Sequence, residues 1–338
     1  MFVKTPPTTK IEDATLDSQL RPKTWDEYIG QDKVKQKLSI IIEAAKKRGE
    51  PIEHLLFYGN SGLGKTTLAH VISNVMGKGI KTCSGPMLEK TGDLASLLTN
   101  LQDGEVLFVD ECHRIQRLVA EMLYSALEDF KLHLILGKGP MARTMELAVP
   151  HFTFIGATTR LSLLPNPFRN RFGGIFQLDF YTKEDLEKII RRSAKILNVA
   201  IEEAAVRLLA ARSRFTPRIA NRLLKRIRDF ATIEGSELIT KELADKGLEL
   251  LEIDESGLEP EDRKILRSII ERFRGGPVGI KALASSVAEE PETILDIYEP
   301  YLMQLGFIER TPQGRVATSL AYKHLSISLP PTRPHIER

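Results

Sequence analysis

Residues 59–67 read Gly-Asn-Ser-Gly-Leu-Gly-Lys-Thr-Thr. Gly59-x-x-x-x-Gly64-Lys65-Thr66 is the spacing of a loop that cradles polyphosphate. Glycines at 59, 62 and 64 let backbone N–H groups turn inward around a β-phosphate, and a helix starting at the lysine points its positive end at the same anion. Lys65 is then expected to bridge the β- and γ-phosphates, and the Thr66 hydroxyl to ligate Mg²⁺. Two carboxylates fit the same chemistry. Asp110 and Glu111 end an apolar run, the place where an open α/β sheet presents its active-site groups. Asp110 is expected in the Mg²⁺ shell, and Glu111 is expected to orient and polarise an attacking water. Thr158 ends another apolar run and could bring a hydroxyl to the γ-phosphate or its water, although β-propensity alone also favours threonine there. Arg171, in Pro167-Phe-Arg-Asn-Arg-Phe-Gly-Gly174, is a candidate for stabilising charge on the γ-phosphoryl group of a neighbouring subunit, or else forms a surface salt bridge. Arg218, in Thr216-Pro-Arg, begins a helix, where a phosphate contact competes with a plain surface role.

These residues need a scaffold that brings strand ends together. Leu55–Tyr58 reads as a buried strand running into the glycine loop, and the composition after it is helical. Val34–Arg48 has helical periodicity and ends in Lys46-Lys-Arg48, which complements a helix C-terminus. Val106–Val109 is a second strand, Arg117–Phe130 a helix, and Phe152–Gly156 a third core strand. Between the last two, Lys131–Leu136 and Met141–Val149 flank Gly137-Lys-Gly-Pro140 as the arms of a β-hairpin. Apolar strands alternating with helices argue for a parallel sheet covered on both faces. From Thr182, a plausible N-cap, to about Glu252 the pattern is helical with no strand signal. Asp254–Pro260 reads as a linker. Helices over 261–273, 280–288 and 291–305 then lead into a short hairpin around Pro312-Gln-Gly314, the pattern of a winged helix. The expected domains are 1–182, 183–253 and 254–338.

Composition constrains partners less than motifs do. The 338 residues carry 48 Lys/Arg and 45 Asp/Glu, net +3, a balance that neither requires nor excludes nucleic acid. From Asp254 to the end there are 11 Lys/Arg against 13 Asp/Glu, so a nucleic-acid contact there must come from a local patch. The two cysteines, Cys83 and Cys112, suggest neither a disulfide framework nor a metal cluster. Residues 1–17 have no apolar signal core, and no run of about 18 apolar residues exists, so a cytoplasmic protein is expected.

Taken together, Asp-Glu-Cys-His at 110–113, Gly-Ala-Thr-Thr-Arg at 156–160, Arg-Phe-Gly at 171–173 and Thr-Pro-Arg at 216–218 resemble the AAA+ ATPases. The hairpin with Gly137–Pro140 at its turn, and Gly314-Arg-Val-Ala-Thr, narrow the resemblance to the RuvB family of Holliday-junction branch-migration motors, from about Leu20 to Leu325. The resemblance implies an α/β P-loop ATPase core with a parallel sheet and flanking helices, a small all-helical lid and a C-terminal winged-helix domain. It implies ATP and Mg²⁺, a homohexameric ring on four-way junction and duplex DNA, a junction-binding partner resembling RuvA, and a junction resolvase as a further partner. Leu20, Arg21, Tyr28 and Ile29 would line the adenine side. Gly62, Gly64, Lys65, Thr66 and Thr67 would hold phosphates and Mg²⁺, with Tyr181 and Arg218 closing from the lid. Thr158 matches a sensor position and Arg171 a trans-acting finger, with Glu128, Asp129 and Phe130 near the nucleotide interface. Ile135 and Leu136 would dock the junction-binding partner, and Arg310 and Arg315 would touch DNA phosphates. Three departures stand out. Cys112 replaces an aliphatic residue, Phe215 stands where a glycine often precedes Thr-Pro-Arg, and Gln313 fills a wing position that is often basic. A clamp-loader or replication-initiator ATPase, and an ATP-dependent transcription regulator, remain as rival readings.

Overall fold

The computed structural model describes residues 19–136 and 143–329. Its contacts divide the chain into two compact units, one through Asn198 together with Thr216–Arg218, the other Val199–Phe215 and from Ile219 onward. In chain order the first unit contains α1 (Asp32–Arg48), β1 (Leu55–Tyr58), α2 (Lys65–Met76), β2 (Ile80–Ser84), α3 (Thr91–Thr99), β3 (Val106–Asp110) and α4 (Arg117–Asp129). There follow β4 (Lys131–Leu136), β5 (Arg143–Ala148), β6 (Thr153–Thr158), α5 (Asn166–Arg169), β7 (Gly174–Gln177) and α6 (Lys183–Ile196).

Five strands form one sheet in the order β2-β3-β6-β1-β7, every pair parallel. β6 is buried at all six positions and β3 at its first four, as strands covered on both faces must be. β1 lies between β6 and β7. The chain leaves β1 through α2 and returns at the far edge with β2, so the loop after β1 sits where the strand order reverses, the usual ligand crevice of such sheets. The two edge strands, β2 and β7, fall outside the three-strand expectation. β2 reads Ile-Lys-Thr-Cys-Ser with no fully buried position, and β7 has four residues of which one is buried, so neither carries a core strand's apolar signature.

The predicted hairpin forms as β4 and β5, paired in register from Lys131↔Ala148 to Leu136↔Arg143. Its Gly137–Pro140 tip, and the side chains of Ile135 and Leu136, lie outside the described residues. Phe130 starts the hairpin from the left-handed region, with φ 52°, and its ring packs 4.4 Å from His151 and 5.9 Å from Phe152. A core of Leu56, Leu107, Val109, Leu123, Phe154 and Phe168 fills one layer between the sheet and its helices.

The second unit holds β8 (Ala200–Ile201), α7 (Glu203–Ala211), most of α8 (Pro217–Ile233), β9 (Leu238–Ile239) and α9 (Lys241–Leu250). β8 and β9 pair in parallel, a two-residue ladder inside the segment expected to be wholly helical. Two residues cannot show an alternation, so period alone could not reveal it. Beyond them come α10 (Pro260–Arg267), α11 (Ile280–Val287), α12 (Glu299–Gln304), the antiparallel hairpin β10 (Ile308–Thr311) and β11 (Gly314–Ala317), and α13 (Ser319–His324). Their core is Leu266, Ile269, Leu283, Ile294, Leu302 and Ile308, sealed by Tyr301 and Tyr322. Gly314 closes the wing turn at φ 142°, where a Cβ would meet the Val278 carbonyl at 2.4 Å, so only glycine lets the wing approach that backbone.

Candidate nucleotide site and its neighbours

The glycine loop leaves β1 with Gly59, Gly62 and Gly64 at φ 141°, 81° and 93°. A Cβ on Gly59 would also strike the Leu178 carbonyl at 2.4 Å. Gly64 caps α2 with no side-chain hydrogen bond, which leaves the first-turn amides open to an anion. Lys65 is 7% exposed, and its ammonium donates to the carbonyls of Gly59 at 2.7 Å and Asn60 at 2.8 Å. Burial pulls its pKa down to about 8, against the upward pull of Asp110 and Glu111. A desolvated ammonium held only by carbonyls is a group short of an anion. The Thr66 hydroxyl donates to Asp110 Oδ2 at 3.2 Å, joining the loop to the end of β3. Two such oxygens suit Mg²⁺, which takes few protein ligands and completes its shell with phosphate and water.

Glu111 follows Asp110 in the left-handed region, φ 50°, with its N–H donating to Asp110 Oδ1 at 2.9 Å. Non-glycine residues rarely accept that backbone, and functional sites are where they collect. His113 brings its Nε2 to 3.4 Å from Glu111 Oε2 and its Nδ1 to 2.8 Å from the Thr158 hydroxyl. Thr158 is fully buried, and its oxygen also accepts the Arg160 N–H at 3.0 Å. The Thr158 hydroxyl, expected near the γ-phosphate or its water, is enclosed here between His113 and the Arg160 N–H. Next to it, the Thr159 hydroxyl is buried with no hydrogen-bond partner among the described residues, which marks it as the open one. His113 and Thr159 were both visible in the motifs, but nothing in spacing singles them out.

Several residues assigned by resemblance do gather on the loop. Tyr28 and Tyr181 are 2% and 5% exposed, with hydroxyls 3.4 Å apart, and Tyr181 donates to the Leu63 carbonyl at 3.2 Å. Arg218 donates to Ser61 Oγ at 3.0 Å, and its Cβ stands 3.1 Å from where a Gly62 side chain would begin. Leu20 is buried, its carbonyl taken by Arg192 at 2.8 Å, while Arg21 next to it and Ile29 next to Tyr28 are partly exposed. Thr67 is half-buried in the first turn of α2. The Thr-Pro-Arg turn is entered through Arg214 and Phe215 at φ 53° and 54°, which explains why a glycine would suit position 215. Phe215 offsets that conformation by packing 5.9 Å from the Tyr301 ring, and Arg214 forks onto the fully buried Asp262 at 3.0 Å through both amino groups.

Arg171 is elsewhere. Gly173 N–H donates to the His54 carbonyl before β1, whereas the glycine loop follows β1, so the two lie at opposite ends of the strand. Phe168 and Phe172, 5.1 Å apart and packed on Phe154, anchor the segment and turn Arg171 outward. Its guanidinium sits 5.0 Å over the Tyr124 ring and donates to the Tyr124 carbonyl at 3.2 Å, the Pro167 carbonyl at 2.5 Å and Glu128 Oε2 at 2.9 Å. Glu128 and Asp129 are exposed on this face, with Phe130 wedged behind, so all three accompany the arginine rather than this chain's own loop.

On the wing, Arg310 and Arg315 both grip Glu299, whose carboxylate is 1% exposed. Arg315 uses Nε and one amino nitrogen at 3.1 and 3.0 Å and is itself 11% exposed. Arg315, expected to touch DNA phosphate, thus also braces the wing on Glu299, and the single carboxylate shared by two guanidiniums leaves the trio with one net positive charge. Arg310 keeps half its side chain exposed.

Family comparisons match this arrangement along its length. Residues 20–178 match the Holliday junction DNA helicase RuvB P-loop domain, 181–254 the RuvB AAA lid domain, and 255–326 the RuvB C-terminal winged helix domain. The chain belongs to the RuvB family. It is 54% identical over 316 residues to the Holliday junction branch migration complex subunit RuvB of Dehalococcoides mccartyi, covering 94% of this chain and 90% of that one. The Thermotoga maritima RuvB Holliday junction branch migration motor superposes with a TM-score of 0.85 at 50% identity, covering 92% of this chain and all of that one. A variant of the same Thermotoga protein gives 0.86 at 50% identity over 92% of this chain and 99% of the other. Like RuvB, this chain is a P-loop AAA+ ATPase, and among its described residues no helix is long and apolar enough to cross a membrane.

Proposed function

We propose that the chain hydrolyses ATP and spends it on branch migration of four-way DNA junctions, working in the cytoplasm. The observation that carries this reading is the junction of loop and strand end, with Lys65 desolvated and Thr66 held on Asp110, in a chain that RuvB family models match over residues 20–178, 181–254 and 255–326. Lys65 draws the β- and γ-phosphates into the loop. Thr66 and Asp110 hold Mg²⁺, which supplies charge neutralisation at the γ-phosphoryl group. Glu111 orients the water that attacks phosphorus in line and accepts its proton, while the bond from phosphorus to the β–γ bridging oxygen breaks and ADP leaves with that oxygen. Thr159 offers its free hydroxyl to the same region. Tyr28, Tyr181 and Arg218, with Leu20, Arg21, Ile29 and Thr67, hold the nucleotide. Arg218 occupies the first turn of α8, whose remaining turns belong to the second unit, which gives nucleotide state a covalent route to it.

Arg171, fixed at the far end of β1 with Glu128, Asp129 and Phe130, completes a neighbour's site, which calls for a closed ring, a homohexamer by resemblance. Boundaries near residues 182 and 253 separate core, lid and head. Ile135 and Leu136 on β4 dock a RuvA-like partner, and a junction resolvase joins the complex. The head contacts DNA phosphates through Arg310 rather than reading bases, so binding weakens steeply with salt. The deciding experiment is ATP-driven dissociation of a synthetic four-way junction beside linear duplex, with and without a junction-binding partner. Selective, partner-stimulated action on the junction is expected. Equal action on both DNAs without any partner effect would refute the proposal.

A further inference from the structure

The turn after β3 is built around two tight approaches. Glu111 at φ 50° reverses the chain into a single 3₁₀ turn, Cys112–Arg114. Cys112 drops into the core at 2% exposure, with its sulfur 3.2 Å from where a Gly156 side chain would begin on β6. Glycine at 156 thus lets the turn lie against β6, and the next residue, His113, arrives over the end of that strand at Thr158. The imidazole is enclosed, 6% exposed, between the Thr158 hydroxyl and the Glu111 carboxylate.

The hydrogens can be placed. Thr158 Oγ1 already accepts the Arg160 N–H, which leaves its own hydrogen free to donate. Glu111, when ionised, offers only acceptors. A neutral imidazole satisfies both sides in one tautomer, with Nδ1 accepting from Thr158 and Nε2–H aimed at Glu111 Oε2. The reverse tautomer would set a ring lone pair against the carboxylate. The 3.4 Å separation is longer than a formed hydrogen bond, as catalytic contacts often are before substrate tightens them.

We propose that His113 is a positioning residue: Thr158 fixes its tautomer, and its Nε2–H then holds the Glu111 carboxylate in the orientation that serves the attacking water. This gives buried Thr158 a part through His113, apart from any contact of its own with the nucleotide. The inference rests on the ATPase reading above and deepens it.

The test combines single and double variants of the full chain. His113→Ala should lower kcat for ATP about ten- to a hundredfold, the scale of a misplaced catalytic group. The Kd for a fluorescent ATP analogue should stay within about twofold, since orientation of Glu111 acts after binding. His113→Gln should recover part of kcat, because its amide accepts and donates at similar positions. Thr158→Val should also lower kcat, and the double variant Thr158→Val with His113→Ala should be no slower than the worse single, because both act through one carboxylate. In a ¹⁵N-histidine spectrum, with seven histidines in the chain and the His113 signals identified by their loss in His113→Gln, the ring should be the Nε2–H tautomer and become mixed in Thr158→Val. Multiplicative losses in the double variant, a Kd that weakens in step with kcat, or an Nδ1–H tautomer would each overturn the proposal. Should the wild type show no ATP turnover, the functional reading fails on its own, while the tautomer and its response to Thr158→Val still decide the relay.

Discussion

Replacing Arg171 by alanine tests whether the site is shared. The four residues of β1 rise about 3.3 Å each, so roughly 13 Å of strand separates the Gly173–His54 hydrogen bond, two residues from Arg171, from the glycine loop. The guanidinium is moreover held by Tyr124, Pro167 and Glu128 on its own end of the sheet. It therefore cannot serve its own nucleotide. Arg171→Ala should keep nucleotide affinity and lose about a thousandfold or more in kcat, the worth of an arginine supplied in trans. The fold should survive, since the lost pair with a 63%-exposed Glu128 is worth under about 1 kcal/mol. Lys65→Ala fails for the opposite reason, binding no nucleotide while still presenting its arginine. In a one-to-one mixture, a working interface needs an intact loop from one variant and an intact arginine from the other. Random assembly gives about one interface in four with both, so ATPase activity should recover to about a quarter of wild type if interfaces act independently. The assay is steady-state phosphate release at concentrations where rings form, with each variant alone as reference. Activity no higher than the sum of the separate variants, or weakened nucleotide binding in Arg171→Ala alone, would refute the shared site.

Lys65→Met should abolish ATP binding yet raise the melting temperature of the nucleotide-free protein, because burial has lowered the lysine from 10.5 to about 8. That shift corresponds to about 3 kcal/mol of cost at neutral pH. The unfolded chain binds the extra proton between pH 8 and 10.5, so wild-type stability should climb across that window and the methionine variant should not follow. Melts at pH 7.5 and 9.5 distinguish the two; equal pH dependence would contradict the burial argument. Glu111→Gln should bind ATP with unchanged affinity and stall, measured by single-turnover chase; near-normal turnover would move the water-orienting role elsewhere. Glu299→Gln should strip the charge partner from Arg310 and Arg315, costing about 3 kcal/mol and lowering the melting of the second unit by roughly 10 °C. The same change releases cations on the wing, so the salt slope of duplex binding should steepen by about one, and an unchanged slope would show that the wing lies off the DNA.

The phosphate loop was legible because its chemistry is local. Gly59, Gly64, Lys65 and Thr66 act through one turn of backbone, and their spacing alone prescribes the cradle. Strands β1, β3 and β6 were legible for a related reason: burial on both faces demands unbroken apolar runs, which sequence displays. The wing hairpin announced itself through Pro312-Gln-Gly314. What sequence could not supply was pairing across distance. Edge strands β2 and β7 lack the unbroken run of buried apolar positions that marks a central strand, so only the sheet identified them. Whether Arg171 served its own loop or another depended on which end of β1 it met, a fact of topology and not of composition. Thr158 and Thr159 are equivalent in a motif; the fold encloses one against His113 and leaves the other hydroxyl unpartnered. Likewise nothing in the wing's sequence says that Glu299, in a helix eleven residues before Arg310 and sixteen before Arg315, already holds both arginines. Local spacing therefore determined that a nucleotide binds, whereas tertiary packing decided which groups are free to act on it, because a side chain's availability is set by its neighbours in space.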